Sequence, residues 1–200
     1  MKQFFKRLFS RQKPIVVVSG LPRSGTSMMM KMLEAGGLPP FIDNIRTADD
    51  DNPNGYYEFE RVKALDKGDV AWLSESQGHV VKIISALLKY LPSNHRYQII
   101  FMQRTIDEIL ASQKKMLIRR GEATNKISDE QLKTLYEKHL LDVKSWLDSH
   151  ENCSVIYVNY NFLLENPQSS ISKIKQFLGG KLNENRMVGI IDPNLYRQRK

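Results

Sequence analysis

Residues 15–27 read Ile-Val-Val-Val-Ser-Gly-Leu-Pro-Arg-Ser-Gly-Thr-Ser, and they restrict the fold more than any other stretch. A short β-branched run feeds a Gly-rich loop, and the loop opens into a Met-rich segment of helical character. This is the layout of a phosphate-binding loop. Successive backbone N–H groups ring an anion there, and the dipole of the following helix adds positive potential at the same point. The spacing Gly20-x4-Gly25-Thr26-Ser27 departs from the nucleoside-triphosphatase signature at one place. Thr26 stands where that signature has lysine, and the loop's cation is Arg23. The loop is therefore read as an anion site that differs from the usual cradle for ATP and magnesium.

The rest of the chain supplies a sheet for such a loop. Strand-like runs at 15–19, 80–85, 97–103 and 154–159 are short, β-branched and apolar in near-continuous blocks. That pattern belongs to strands buried on both faces of a parallel sheet. Helical stretches lie between them. The first starts at Thr26 or Ser27 and stops near Gly36-Gly37. A second begins at Thr105, where Thr105-Ile-Asp-Glu108 fits a capping box, with Ile106, Ile109, Leu110, Gln113, Met116 and Leu117 on one face. A third runs from about 129 to 149 behind Ser128-Asp-Glu-Gln131, its stripe formed by Leu132, Leu135, Tyr136, Leu140, Val143, Trp146 and Leu147. A fourth spans about 167 to 178 and ends at Gly179-Gly180. Alternating strands and helices predict an α/β three-layer P-loop-type domain, with a mainly parallel central sheet flanked by helices.

Two hundred residues suit one such domain. Residues 1–13 read as a basic N-terminal arm, and 14–200 as the domain. The arm carries Lys2, Lys6, Arg7, Arg11 and Lys13 with no acid, and Phe4, Phe5, Leu8 and Phe9 fall at helical spacing. A solvated or docked arm is the plainer reading, and contact with a membrane surface is the alternative. It lacks the apolar core and cleavage site of a secretory signal. No segment approaches the ~20 apolar residues of a membrane span.

The net charge of +8 favours anionic ligands, and a nucleotide accounts for it most simply. No zinc-finger spacing or aromatic-basic RNA motif accompanies the charge, so nucleic acid is not an expected partner. Cys153 is the only cysteine, which rules out an internal disulfide and suits a reducing, cytoplasmic compartment. Neither it nor His79, His95, His139 and His150 shows metal-ligand spacing, so no metal is expected. Residues 38–56 form a long, acidic, turn-rich loop of the kind that covers a site. That loop and the helix at 129–149 are expected to shape a substrate pocket.

A second anion site is legible at the end of the 97–103 run. Arg104 follows it at once, at a position where ligands bind in open α/β sheets. Ser112 lies eight residues on, about two helical turns. Taken alone, without the loop at Gly20, the pair reads better as a surface arginine and a solvent-facing helix serine.

Together these features resemble the sulfotransferases that use 3′-phosphoadenosine 5′-phosphosulfate (PAPS). That family carries a Pro-[Lys/Arg]-Ser-Gly-Thr-[Thr/Ser] loop, which Pro22-Arg23-Ser24-Gly25-Thr26-Ser27 matches, and an Arg followed eight residues later by Ser. Val80-Val81-Lys82 with Leu91-Pro92 is similar to the segment before the central strand of bacterial members. Residues 158–163, Asn166-Pro167 and Phe177-Leu178-Gly179 resemble their late strand-and-helix block, and 191–197 their closing segment. The likeness thus covers nearly all of 14–200. Two departures stand out. Arg104-Thr105-Ile106 replaces the usual Arg-[Asp/Asn]-Pro, and the Arg-Lys-Gly segment of vertebrate members is missing, with Arg197, Arg199 and Lys200 as the nearest substitutes.

The resemblance implies transfer of a sulfuryl group from PAPS to a hydroxyl or amine acceptor, a small molecule, sugar or other compound, leaving adenosine 3′,5′-bisphosphate. Pro22, Arg23, Ser24, Gly25, Thr26 and Ser27 would hold the 5′-phosphosulfate, and Arg104 and Ser112 the 3′-phosphate, without metal. Arg23 would also stabilise the leaving phosphate. Asn52-Pro53-Asn54-Gly55-Tyr56-Tyr57-Glu58 resembles a bacterial segment that ends in glutamate, which makes Glu58 the expected base and Glu60 the second choice. If 56–60 is extended, both acids share a face. If a helix starts there, both sit in its first turn and need no catalytic role. His79 is the fallback base, and Lys82 is expected to assist the leaving group. Two other readings are a P-loop kinase or nucleoside triphosphatase with a degenerate loop, and a nucleotide-binding protein without turnover.

Overall fold

The computed structural model describes residues 13–43, 45, 56–123 and 127–191. The basic arm up to residue 12, the Asn52–Gly55 part of the acidic loop, and the tail with Arg197, Arg199 and Lys200 lie outside the described residues.

Four strands form one sheet: β1 (Ile15–Gly20), β2 (Val80–Lys82), β3 (Tyr97–Gln103) and β4 (Cys153–Asn159). Their order is β2-β1-β3-β4, and every neighbouring pair is parallel. β1 is central and buried along its whole length, which is why it carries no polar alternation. Its register places Val16 beside Val80 and Gln98, and Gly20 beside Met102.

Each face of the sheet has its own core. On one side Val16, Val18, Ile100 and Met102 pack against α1 (Thr26–Ala35), α4 (Tyr160–Glu165), α5 (Pro167–Phe177) and α6 (Glu184–Val188). Met28, Met29, Met30 and Met32 of α1 are buried there, so the Met-rich segment fills a core. On the other side Ile15, Val17, Ile99 and Phe101 meet α3 (Asp129–Asp148) and three 3₁₀ segments, Glu60–Lys67, Ala71–Ser74 and Ser85–Tyr90. α2 (Ile106–Arg119) follows β3 and is tied to α3 by Tyr136 Oη, which donates to Gln113 Oε1 at 2.9 Å.

Several expected boundaries shift for visible reasons. β2 stops at Lys82 rather than continuing to Ser85. Ile83 still donates its N–H to Val18, but Ser85 opens a 3₁₀ turn. The helix expected directly at Pro167 is preceded by α4, whose N-terminus is capped by Asn159. The Ser128–Gln131 capping box forms as read. The box expected at Thr105 does not form, because Glu108 has other partners. Because all strands run in one direction, Gly20, Lys82, Gln103 and Asn159 end on a single edge of the sheet.

Candidate active site

The loop between β1 and α1 has the backbone an anion site needs. Arg23 (φ 70°) and Gly25 (φ 98°) both adopt left-handed conformations, with Ser24 between them. Alternation of this kind turns consecutive N–H groups to one side. α1 then starts at Thr26 with no side-chain cap and no acid in its first turn. Its first N–H groups therefore face the loop without competition from a side chain. Ser24 is buried, and its Oγ has no hydrogen-bond partner among the described residues. A buried loop hydroxyl without a protein partner calls for one from outside the chain, such as a ligand or a water. Gly25 is required for space as well as conformation, since a Cβ there would stand 2.4 Å from Cδ2 of Tyr160.

The strand-end arginine lies against this loop. Arg104 Nη1 donates to the carbonyl of Arg23 at 3.2 Å, and its guanidinium stacks on Tyr160 at 4.6 Å. Its Nε donates to Glu108 Oε2 at 2.7 Å, and both side chains are 8% exposed. The second oxygen of Glu108 accepts from Asn161 Nδ2 at 2.9 Å. Arg23 Nε donates to Ser112 Oγ at 2.9 Å. The two groups of residues read as separate anion sites are thus in direct contact.

A third group stands at the end of β2. Lys82 Nζ lies 3.4 Å from Ser27 Oγ in the first turn of α1 and 3.6 Å from Glu58 Oε1. It also donates to the carbonyl of Tyr56. Lys82 is nearly buried and Glu58 only partly so, which leaves the carboxylate the more accessible of the two. Between Tyr56 and Glu58, Tyr57 adopts a left-handed backbone (φ 50°), a conformation costing a non-glycine residue about 1–3 kcal/mol. Its hydroxyl donates to Glu34 Oε2 at 2.5 Å. Burial, with the Glu34 carboxylate beside it, pushes the Tyr57 phenol well above its ordinary pKa, so it stays a donor.

Two candidates for the base lie elsewhere. Glu60 begins a 3₁₀ segment and pairs with Lys63 on the surface, so it does not share a face with Glu58. His79 precedes β2 and packs edge-on against Phe41. With Val80 in register with Val16, it sits at the amino end of the sheet, opposite the loop.

Some residues escaped the sequence reading. Glu108 was legible in principle, since an acid four residues after an arginine on a helix is a pairing signal. Tyr160 and Asn161 follow the end of β4, so the edge rule that singled out Arg104 points to them too. Ser85, buried just past β2, is hydrogen-bonded to His139 Nε2 at 2.8 Å, a pairing across 54 positions with no local signal. α3 lines a groove of about 430 Å³ with Phe101, Gln103 and Tyr157, and no residue read as nucleotide-binding borders it. Among the described residues no three His, Cys, Asp or Glu side chains converge as metal ligands, and no helix is long and apolar enough to cross a membrane.

Comparison with known proteins bears on the fold and the family. No curated protein matches the chain. Among solved structures, the fold is shared with sulfotransferase STF1 from Mycobacterium tuberculosis H37Rv, with a TM-score of 0.57 and 15% identity over 96% of this chain and 74% of that one. It is also shared with the sulfotransferase domain from the curacin biosynthetic pathway, with a TM-score of 0.55 and 16% identity over 92% and 79%. The sulfotransferase domain of the Synechococcus PCC 7002 olefin synthase gives a TM-score of 0.50 and 16% identity over 96% and 86%. At such identities the likeness is one of fold. The sequence model of the sulfotransferase domain is more specific, and it matches residues 13–195. With that match spanning nearly the whole chain, the protein belongs to the sulfotransferase family.

Proposed function

We propose that this sulfotransferase takes its sulfuryl group from PAPS and passes it to the hydroxyl or amine of a small-molecule or sugar acceptor. The observation that carries the reading is the convergence of Lys82, Glu58 and Ser27 at the N-terminus of α1, with Arg104 against the other side of the same loop. That edge offers cations and N–H groups for two anionic ends of a nucleotide and one carboxylate for a proton.

The roles follow from position. The loop from Pro22 to Ser27 holds the 5′-phosphosulfate through its backbone, with Arg23 and the Ser24 hydroxyl adding side-chain donors. Arg104 and Ser112 hold the 3′-phosphate. The donor, when bound, supplies an activated sulfuryl group whose departure leaves charge on a phosphate. Lys82 and the α1 N-terminus stabilise that charge where it develops. Glu58 removes the acceptor's proton as the new bond forms. Glu60 and His79 take no part. A reducing, cytoplasmic setting suits a chain whose single cysteine is Cys153.

Isothermal titration with adenosine 3′,5′-bisphosphate, ATP–magnesium and AMP tests the donor. The bisphosphate should bind most tightly, and preference for ATP–magnesium would replace this reading with phosphoryl transfer. Release of the bisphosphate from PAPS across an acceptor library then identifies the acceptor class.

A further inference from the structure

Tyr57 occupies a backbone conformation that ordinarily favours glycine, yet it carries one of the larger side chains of the chain. What the side chain does is visible on both sides of it. Its hydroxyl reaches Glu34 near the end of α1, and its ring packs against the core beneath that helix. Glu34 lies seven residues after Ser27, on the same face of α1 two turns away. Through the left-handed turn, the residues before and after Tyr57 both reach Lys82: Tyr56 by its carbonyl and Glu58 by its carboxylate. A right-handed or extended residue at 57 would send one of those groups elsewhere. The segment is therefore fastened to α1 at Glu34, and its chemical end meets the same helix at Ser27 through Lys82.

We propose that Tyr57 is a positioning residue for sulfuryl transfer: its left-handed turn, held by the bond to Glu34, sets the Glu58 carboxylate and the Lys82 ammonium together at the mouth of the phosphate loop. The inference rests on the reading of Glu58 as base. Tyr57 touches neither donor nor acceptor in this role. Its loss costs turnover and leaves nucleotide binding intact.

The test measures release of adenosine 3′,5′-bisphosphate from PAPS with 2-phenylethanol as the acceptor probe, an alcohol that keeps its proton at neutral pH and so needs a base, and transfer to the alcohol or to water is counted alike. Y57F should lower kcat about ten- to a hundredfold, the scale of a small misplacement of a reacting group, while KM for PAPS changes less than about twofold. Y57G relieves the backbone strain but removes the anchor, and should be at least as slow. E34A should match Y57F, whereas E34Q, which still accepts a hydrogen bond, should retain most of the turnover. Y57F combined with E58Q should lose clearly less than the product of the two single losses, because much of the Tyr57 effect passes through the Glu58 carboxylate. Thermal melting and bisphosphate titration establish that each variant is folded. Normal kcat in Y57F beside a strong loss in E58Q overturns the positioning role alone. Normal turnover in E58Q overturns the base assignment, and the proposal with it.

Discussion

Arg23 Nε and Ser112 Oγ are hydrogen-bonded at 2.9 Å, and Arg104, eight residues before Ser112, holds the carbonyl of Arg23. The phosphate loop and α2 thus grip each other through residues proposed above to serve different ends of one nucleotide. Removing the serine hydroxyl should loosen the 3′-phosphate end while the fold persists. S112A should weaken adenosine 3′,5′-bisphosphate several-fold, about the worth of one hydrogen bond to a charged group, and leave AMP nearly unchanged. Titration of both nucleotides reads the difference, and equal losses would place Ser112 in the fold rather than at the phosphate.

Arg104 has a structural duty and a proposed one at the 3′-phosphate, and the two separate experimentally. Its pairing with Glu108 is almost fully buried, so R104A takes the cation away from a buried carboxylate that also accepts from Asn161. Breaking a buried pair this way costs about 3–5 kcal/mol, which chemical denaturation should register. At a temperature where R104A stays folded, the bisphosphate should bind ten- to over a hundredfold more weakly, on the order of a lost charge-assisted bond, with AMP far less affected. Affinity loss shared equally by both nucleotides would leave Arg104 with only the structural duty.

What the sequence disclosed and withheld follows one physical line. β3 was legible to the residue because its apolar block ends at a polar Gln103 and a charged Arg104. The helix start at Ser128 was legible because both halves of its capping box are local and exposed. At Thr105 the same pattern marked the helix start correctly but the box does not close, since Glu108 is drawn off by Arg104 and by Asn161, 53 positions away. β2 was overrun because Ile83 and Ile84 continue an apolar run after the strand pairing has ended. Loop and arginine were each readable, but their contact was not, and neither was the turn at Tyr57 that brings Glu58 to Lys82. Glu58 and Glu60 look alike in sequence, and only the 3₁₀ start at Glu60 parts them.

A buried histidine, His95, and a half-buried one, His139, contribute to the acid side of the stability profile. Burial lowers the pKa of His139, with Lys89 lowering it further and Asp142 opposing. Burial alone lowers that of His95. In the unfolded chain both titrate near 6.5. The unfolded state therefore binds more protons in the window between the lowered folded values and about 6.5, and stability rises with pH across it. The contribution is complete above about pH 6.5, shrinks as pH falls through the window, and is constant below it. Urea unfolding at a series of pH values should show this slope, and H95Q or H139Q should each flatten it. An unchanged slope in both would assign the acid sensitivity to carboxylates.

Gly25 joins the loop to Tyr160, the ring on which Arg104 stacks. A methyl group there meets the ring at 2.4 Å in a left-handed backbone. G25A should therefore displace Tyr160 or distort the loop, at an overpacking cost of about 1–3 kcal/mol. Either response spoils the ring of N–H groups, so bisphosphate affinity should fall by more than in S112A. Wild-type affinity in a folded G25A would show that the loop binds its anion without the left-handed turn.

The base assignment is the sharpest consequence of the geometry, because three candidates are now distinguished by place. Glu58 lies 3.6 Å from Lys82 at the loop, Glu60 pairs with Lys63 on the surface, and His79 stands at the far end of β2. E58Q preserves shape and removes the proton acceptor. It should cut PAPS turnover by about 10²–10⁴-fold, the range for loss of a general base, with bisphosphate affinity nearly unchanged. E60Q and H79Q should stay within about twofold of wild type, since the usual effect of an exposed or remote substitution is small. The affinity measurement matters as much as the rate. Glu58 also neighbours the cation that meets the phosphate end, so a carboxylate serving only to hold Lys82 would alter nucleotide affinity in E58Q together with turnover. A large loss of rate at constant affinity is the signature of proton removal, and near-normal turnover in E58Q would send the search to the acceptor side of the site.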